Sequence, residues 1–240
     1  MEYRYYEIPA GSPVLALLGD KWVQNYGRDI DYLHFHNHLE VGFCYYGEGT
    51  VTFKEDIPFD GNMFTVIPKN FPHTTTSAGD SVSYWEWLFI DADKFLREVY
   101  KDNPRMAQKV LDRVNRRAHF VRVQDKPQIG ALVQQIIGCM RERKEFYLEE
   151  VKGLTLALLL QVARWNREEA EKTEFEAGNS SLITPAIDYI SECCDRPIKV
   201  EELAAMCHIS ETHLRRVFHD CMQMSPVEYI NWVRIRTCLL

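Results

Sequence analysis

His34, His36, His38 and Glu40 share one parity in a β-prone run, so a locally extended backbone would turn all four side chains to the same face. Imidazoles converging with a carboxylate are the donor types that hold a divalent transition metal. His73, after Pro68-Lys69-Asn70-Phe71-Pro72, could add a nitrogen from another strand. His34, His36, Glu40 and His73 are therefore the candidate metal ligands, and a divalent ion is the one cofactor they imply. His38 is read as a surface residue or a support behind the ligands. The aromatic run Tyr84, Trp85, Trp87, Phe89 offers rings for a sugar-like or ring-bearing molecule, although a plain aromatic core explains the same residues. A second constellation lies near the other end. Ser210 opens a helix and can accept a hydrogen bond from the N–H of Thr212 or His213. Leu214 and Phe218 fall on one face of that helix, and Glu211, Thr212, Arg215 and Arg216 project from the other. Such a face suits a DNA major groove, where arginine can grip guanine in bidentate fashion. An ordinary helical hairpin with a solvated charged face would show the same spacing.

The elements that must position these residues change character along the chain. Up to about residue 92 the β-prone runs Tyr32 to Tyr46, Thr50 to Lys54, Met63 to Ile67 and Val82 to Ile90 alternate with turn residues. Gly47-Glu48-Gly49 and Asp60-Gly61-Asn62 sit where hairpin loops need φ > 0. This predicts an all-β unit, sandwich or barrel. From Asp93 the spacing of Phe95, Val99, Met106, Val110 and Val114 becomes helical. A longer helix carries Ile129, Leu132, Val133, Ile136, Ile137 and Met140 as one stripe. Another runs from about Tyr147 to Arg167, and there Leu156, Leu159 and Leu160 widen the apolar surface beyond one face. A helix apolar on two sides wants two partners, which predicts packing on the β unit and on a second copy of the chain. Residues 168–182, acidic and then Gly/Asn/Ser-rich, read as a linker. Thr184-Pro185 predicts the start of the next helix, and Val200 to Cys207, His208-Ile209 and Ser210 read as helix, tight turn, helix.

The spacing L-A, then S-x-x-x-L-x-R-x-F, then S-P-x-x-Y and a later Arg falls on Leu203, Ala204, Ser210, Leu214, Arg216, Phe218, Ser225, Pro226, Tyr229 and Arg234. It closely resembles the first helix-turn-helix of the AraC-type (arabinose-regulator) transcription factors. At the other end, H-x-H-x-x-x-E-x6-G on His34, His36, Glu40 and Gly47 resembles the first cupin motif, and Gly61 with Pro68 to His73 resembles the second, with Asn70 in place of the usual glycine. The resemblance implies an α+β chain. A cupin-like effector-binding β-barrel would span residues 1–92, a helical dimerisation segment 93–167, a linker 168–182, and an all-α helix-turn-helix domain 183–240. It implies a ligand-responsive regulator rather than an enzyme, homodimeric and cytoplasmic. Operator DNA would be read through Thr212, Arg215 and Arg216, with Glu211 and Ser210 beside them. A small-molecule effector would lie against His34, His36, Glu40, His73, Trp85 and Trp87. Metal-binding cupins imply a competing reading, a metal-dependent enzyme using His34, His36, Glu40 and His73. A third is a dimerising fragment that does not bind DNA alone. Lys199 and Gln223 stand where the family has a Ser/Thr cap and a glycine. The family's DNA-binding unit continues through a long helix, begun near Ser225, into a second helix-turn-helix. This sequence reaches Leu240 inside that helix, so an incomplete unit is expected.

Composition bounds these readings. With 46% apolar and 26% charged residues in 240, disordered and low-complexity classes are excluded. A net charge of −7 argues against a generic polyanion binder. From Ile183 onward six Lys/Arg face eight Asp/Glu, so this stretch alone should hold DNA feebly at physiological salt. The longest apolar-rich run, Leu154 to Ala163, is about half the ~18 to 20 residues a membrane span needs. Met1 to Tyr6 lacks a secretory pattern, and the seven cysteines show no C-x-x-C spacing, so reduced, packed thiols are expected.

Overall fold

A computed structural model of the chain describes residues 2–27, 33–53, 55–172, 180–222 and 224–237. It divides into two compact units, residues 2–174 and residues 175–240. The first unit opens with β1 (Glu2–Arg4), β2 (Val14–Leu17), β3 (Val23–Gln24), β4 (His34–His36), β5 (Leu39–Tyr46) and β6 (Gly49–Thr52). It continues through β7 (Asp56–Phe59), β8 (Met63–Val66), β9 (Thr74–Ser77) and β10 (Ser83–Ile90). Helices α1 (Ala92–Val99) and α2 (Pro104–Val114) precede β11 (His119–Arg122), and α3 (Pro127–Glu142) and α4 (Tyr147–Lys172) come after it. The largest sheet has the order β11-β8-β5-β10-β2, with β3 also on β10; β7-β6-β9 form a second sheet and β1 pairs with β4. Pairing thus falls into three sheets among the described residues and does not close one barrel.

Strand alternation explains how this unit holds both a helical layer and a site. On one face of the large sheet Leu39, Val41, Phe43, Phe64, Val66, Leu88 and Ile90 join the apolar residues of α1 to α4 in one core. The opposite parity puts Cys44, Met63, Trp85, Trp87 and Phe89 in a second cluster with Val51 and Phe59 of the smaller sheet. Both faces of β5 are therefore covered, and its first six residues are all buried. The loops behave as expected, with positive φ at Gly47, Gly61 and Asn62. Asp91 and Asn103 cap α1 and α2, accepting from Lys94 N–H and Met106 N–H. At the helical layer, His119 Nε2 lies 2.5 Å from Asn166 Oδ1, while Asn166 Nδ2 donates to Arg113 O at 2.7 Å, tying β11, α4 and α2 together.

Glu86 on β10 is a fully buried carboxylate on the helix side. It accepts from Gly19 N–H at 2.8 Å, Tyr84 OH at 2.8 Å and Tyr45 OH at 2.7 Å, and pairs with Arg141 of α3. Burial pushes its pKa up, but Arg141, the Tyr45 hydroxyl, the Gly19 amide and the Tyr84 hydroxyl push further down, and the net shift is downward. A depressed folded-state pKa contributes stability that is fully present above the unfolded value near 4.5 and lost as pH falls through the lower folded value. Acid unfolding followed from pH about 5 downward should therefore show a stability loss that flattens in Glu86→Gln; an unchanged slope in that variant would remove Glu86 from the account.

In the second unit α5 (Ser180–Glu192), α6 (Val200–Met206), α7 (Glu211–Met222) and α8 (Pro226–Thr237) pack around Ile183, Ile187, Ile190, Leu203, Leu214, Val217, Phe218, Tyr229 and Val233. Two sequence expectations are corrected. Helix α4 runs to Lys172, so residues 168–172 are helix and not linker; residues 173–179 of that stretch lie outside the described set. Helix α5 starts before the Thr184-Pro185 cap, and Pro185 sits inside it. Its missing N–H removes one backbone bond near the start, where the apolar stripe of Ile183, Ala186, Ile187 and Ile190 still buries the helix. Gln223 lies outside the described residues, and Lys199 precedes α6 without a side-chain cap bond. The described cysteines Cys44, Cys139, Cys193, Cys194 and Cys207 are free thiols. No described helix is long and apolar enough to cross a membrane.

Candidate sensor cavity and nucleic-acid interface

The expected single strand Tyr32 to Tyr46 is broken at Asn37-His38, and Tyr32 lies outside the described residues. The break keeps His34, His36 and Glu40 together and sends His38 away. The His38 ring Nε2 meets Asn37 Nδ2 at 2.9 Å, and its carbonyl lies 2.7 Å from His36 Nδ1. His34 and His73 exchange two backbone bonds of 2.8 Å, and Glu40 and Ile67 exchange two of 2.9 and 2.8 Å. These pairs bring the histidine after Pro72 beside β4. His36 Nε2 then lies 3.1 Å from Glu40 Oε2 and His73 Nε2 lies 3.4 Å from Glu40 Oε1. The His34 and His73 ring centroids are 4.3 Å apart. All four residues are at most 7% exposed.

Neither carboxylate contact is aligned as a hydrogen bond. His34 Nδ1, His36 Nε2, Glu40 Oε1 and His73 Nε2 are all buried without one. Burial raises the Glu40 pKa, but His36 and His73 outweigh it and hold the carboxyl well below the ordinary range. Burial, with His73 alongside, pushes His34 far down, so its ring is neutral.

A cavity of about 230 Å³ opens beside this cluster, lined by Arg4, Tyr6, Trp22, Tyr26, His34, Glu40, Trp87 and Phe89 among others. Tyr6 stacks on Phe89 at 3.8 Å between ring centroids. Trp87 presents its ring to the cavity, whereas Trp85 stacks behind it at 4.9 Å, fully buried against Phe59. Of the six expected effector contacts, the structure thus places His34, Glu40 and Trp87 on the cavity wall and His36, His73 and Trp85 behind it. Arg4, Tyr6, Trp22 and Tyr26 were missed. They come from or flank β1 and β3, of three and two residues, too short for a period to show in the sequence.

In the second unit the turn between α6 and α7 is built from backbone bonds. Ile209 N–H donates to Ala204 O and His208 N–H to Ala205 O, each at 3.1 Å, with His208 in the left-handed region at φ 55°. This is the helix stop that satisfies the last carbonyls of α6. His213 N–H then donates to Ser210 Oγ at 3.3 Å, starting α7. Leu214, Val217 and Phe218 are buried, while Thr212, Arg215 and Arg216 are exposed and Glu211 is half-buried. Arg215 is held along the helix by Glu211 at 2.5 Å, whereas Arg216 has no ion pair among the described residues. Ser225 and Glu228 form a reciprocal cap on α8, with Ser225 N–H to Glu228 Oε2 at 2.6 Å and Glu228 N–H to Ser225 Oγ at 3.3 Å. Arg234 donates to Cys194 O at 2.9 Å and Arg196 O at 2.5 Å, fixing α8 to the chain beyond α5. Its place in the pattern is therefore structural.

Residues 194–231 match the bacterial regulatory helix-turn-helix proteins of the AraC family. No curated protein shows a matching sequence. Among solved structures, ToxT from Vibrio cholerae O395 is similar at a TM-score of 0.40 and 13% identity, over 92% of this chain and 97% of ToxT. ToxT bound to (E)-4-(8-methylnaphthalen-1-yl)but-3-enoic acid gives 0.38 and 13%, over 92% and 98%. The AraC-like transcriptional activator CuxR gives 0.39 and 14%, over 85% and 66%. The matched stretch begins just beyond α5 and runs into α8, so the helical unit of this chain carries a helix-turn-helix of the AraC family of bacterial regulatory proteins.

Proposed function

We propose that this chain is a ligand-responsive transcription regulator that reads operator DNA through α7 and senses a small molecule in the 230 Å³ cavity. The observation that carries the reading is the division of α7. One face is buried to the last atom at Leu214, Val217 and Phe218, and the other leaves Thr212, Arg215 and Arg216 in solvent. An exposed arginine on a helix capped at Ser210 suits base-edge contact in a major groove, with Glu211 setting the pose of Arg215. The cavity's aromatic wall, Tyr6, Trp22, Trp87 and Phe89, suits a sugar-like or ring-bearing effector. Leu156 and Leu160 of α4 remain partly exposed, which supports a homodimer through that helix. The effector acts by binding one arrangement of the regulator better than the other.

A gel shift with the chain's own upstream region at low salt tests this. Arg216→Ala should weaken binding about 10- to 100-fold, the worth of one bidentate arginine contact, with the melting curve unchanged because Arg216 is exposed. Sedimentation of the same sample at micromolar concentration reads the dimer. Native protein that leaves the DNA unshifted with and without candidate monosaccharides, or an Arg216→Ala protein that binds as well as native, would overturn the reading.

A further inference from the structure

We propose that Glu86 is a positioning residue that couples the cavity wall at Trp22 to the turn between α3 and α4, so that what fills the cavity is felt in the helical layer. The alternation of β10 sets this up. Trp85, Trp87 and Phe89 lie on the cavity side, and Glu86, of the opposite parity, shares the helix side with Leu88 and Ile90. A carboxylate offers about four acceptor sites, and four donors fill them here. Oε1 takes the Gly19 N–H and the Tyr84 hydroxyl, and Oε2 takes the Tyr45 hydroxyl and the Arg141 guanidinium. One oxygen thus holds the segment that carries Trp22, and the other holds the C-terminal end of α3. Replacing a buried ion pair by apolar side chains is often neutral or stabilising, so stability alone does not account for this one.

Both ends of the bridge are poised to respond. Gly19 adopts φ 97°, and its carbonyl accepts the Trp22 N–H at 3.0 Å, closing the single turn Asp20–Trp22. Trp22 lines the cavity, and its Nε1–H is buried without a hydrogen-bond partner. A ligand oxygen accepting from it would satisfy that donor, which gives the ligand a preference for one placement of the turn. At the other end, Arg141 stands shortly before Arg143 at φ 48°, and Phe146, 73% exposed in the same connection, has φ 64°. Side chains of this size hold left-handed backbone only where surrounding contacts impose it, and α4 begins at the next residue, Tyr147. Donors that share one buried carboxylate polarise one another, so a change at Gly19 alters the grip on Arg141 and the strained turn behind it. The proposal rests on the sensing reading for its purpose, but its test needs neither DNA nor an identified effector, so the two can fail separately.

Hydrogen exchange on the full chain, read over residues 139–150, tests this. Trp22→Ala removes the ring and loosens its turn, and exchange over those residues should rise about 3-fold or more, the lower end of coupling within one hydrogen-bonded network. Tyr6→Ala strips the same cavity from a segment with no bond to Glu86 among the described residues, and should leave the exchange unchanged. In an Arg141→Met background Trp22→Ala should no longer act on residues 139–150, and with Arg141→Lys part of the response should return. Arg141 is half-exposed, so these substitutions leave the fold in place. Trp22→Phe, a milder truncation, gives the same comparison if the alanine variant folds poorly. The proposal is overturned if Trp22→Ala leaves residues 139–150 exchanging as in the native chain, if Tyr6→Ala acts equally, or if the effect survives Arg141→Met. Glu86 would then only support the sheet.

Discussion

Phe218→Ala should unfold the C-terminal unit at room temperature while leaving residues 2–174 folded. Phe218 is fully buried, 5.7 Å from the Tyr229 ring, and shares the helix face with Leu214 and Val217. Truncating a buried phenylalanine to alanine costs about 3–5 kcal/mol through lost transfer energy and the cavity left behind. A unit of some 60 residues has a total stability of about 3–9 kcal/mol at the usual per-residue value, so this one change removes most of it. The variant should show reduced far-UV helicity and no DNA shift, with the near-UV signal of Trp85 and Trp87 retained. A variant that melts like the native chain would mean that Phe218 is not the keystone its burial indicates.

The second large effect is at Gly42. A Cβ there would stand 2.4 Å from Trp87 Cζ3 and 2.7 Å from Thr65 Oγ1, the hydroxyl that accepts the Gly42 N–H at 2.9 Å. Trp87 cannot retreat, because Trp85 stacks on it with an interplanar angle of 7° and Tyr26 meets it edge-on. Gly42→Ala must therefore push the indole toward the cavity. Overpacking of this kind costs about 1–3 kcal/mol, and the upper end is expected where the neighbour is a wedged ring. Chemical denaturation should show that loss. Any small molecule found to stabilise the native chain should no longer do so, and the double variant Gly42→Ala, Trp87→Phe should recover part of both. Unchanged ligand response in Gly42→Ala would dissociate Trp87 from the binding wall.

Much of the fold was legible in the residues because the signals are local. The turn glycines, the Ser210 cap, the Ser225-Pro226 start of α8 and the 3.6-residue stripes of α2 and α3 depend on neighbours within a few positions. Asn70, standing where the second cupin motif has glycine, adopts φ 60°, which asparagine tolerates. The parts that were not legible had short or conflicting local signals. Strands β1, β3 and β9 are too short or too threonine-rich to show alternation, and β7 contains Pro58. Pro185 suggested a helix start at the wrong place because the apolar burial of α5 outweighs one missing backbone bond.

The candidate site divides in the same way. Residue spacing was enough to put His34 and His36 on one face of β4 and Thr212, Arg215 and Arg216 opposite Leu214 and Phe218, because strand and helix periods fix side-chain direction within one element, whereas Glu40, on β5, joins the histidines only across the Asn37-His38 break. Folding in three dimensions was needed to take His38 out of the group at the Asn37 bend and to bring His73 into it through two backbone bonds to His34. The same packing made Trp87 and not Trp85 the cavity wall. Those outcomes depend on which strands pair and in what register, and register is settled by burying whole faces together.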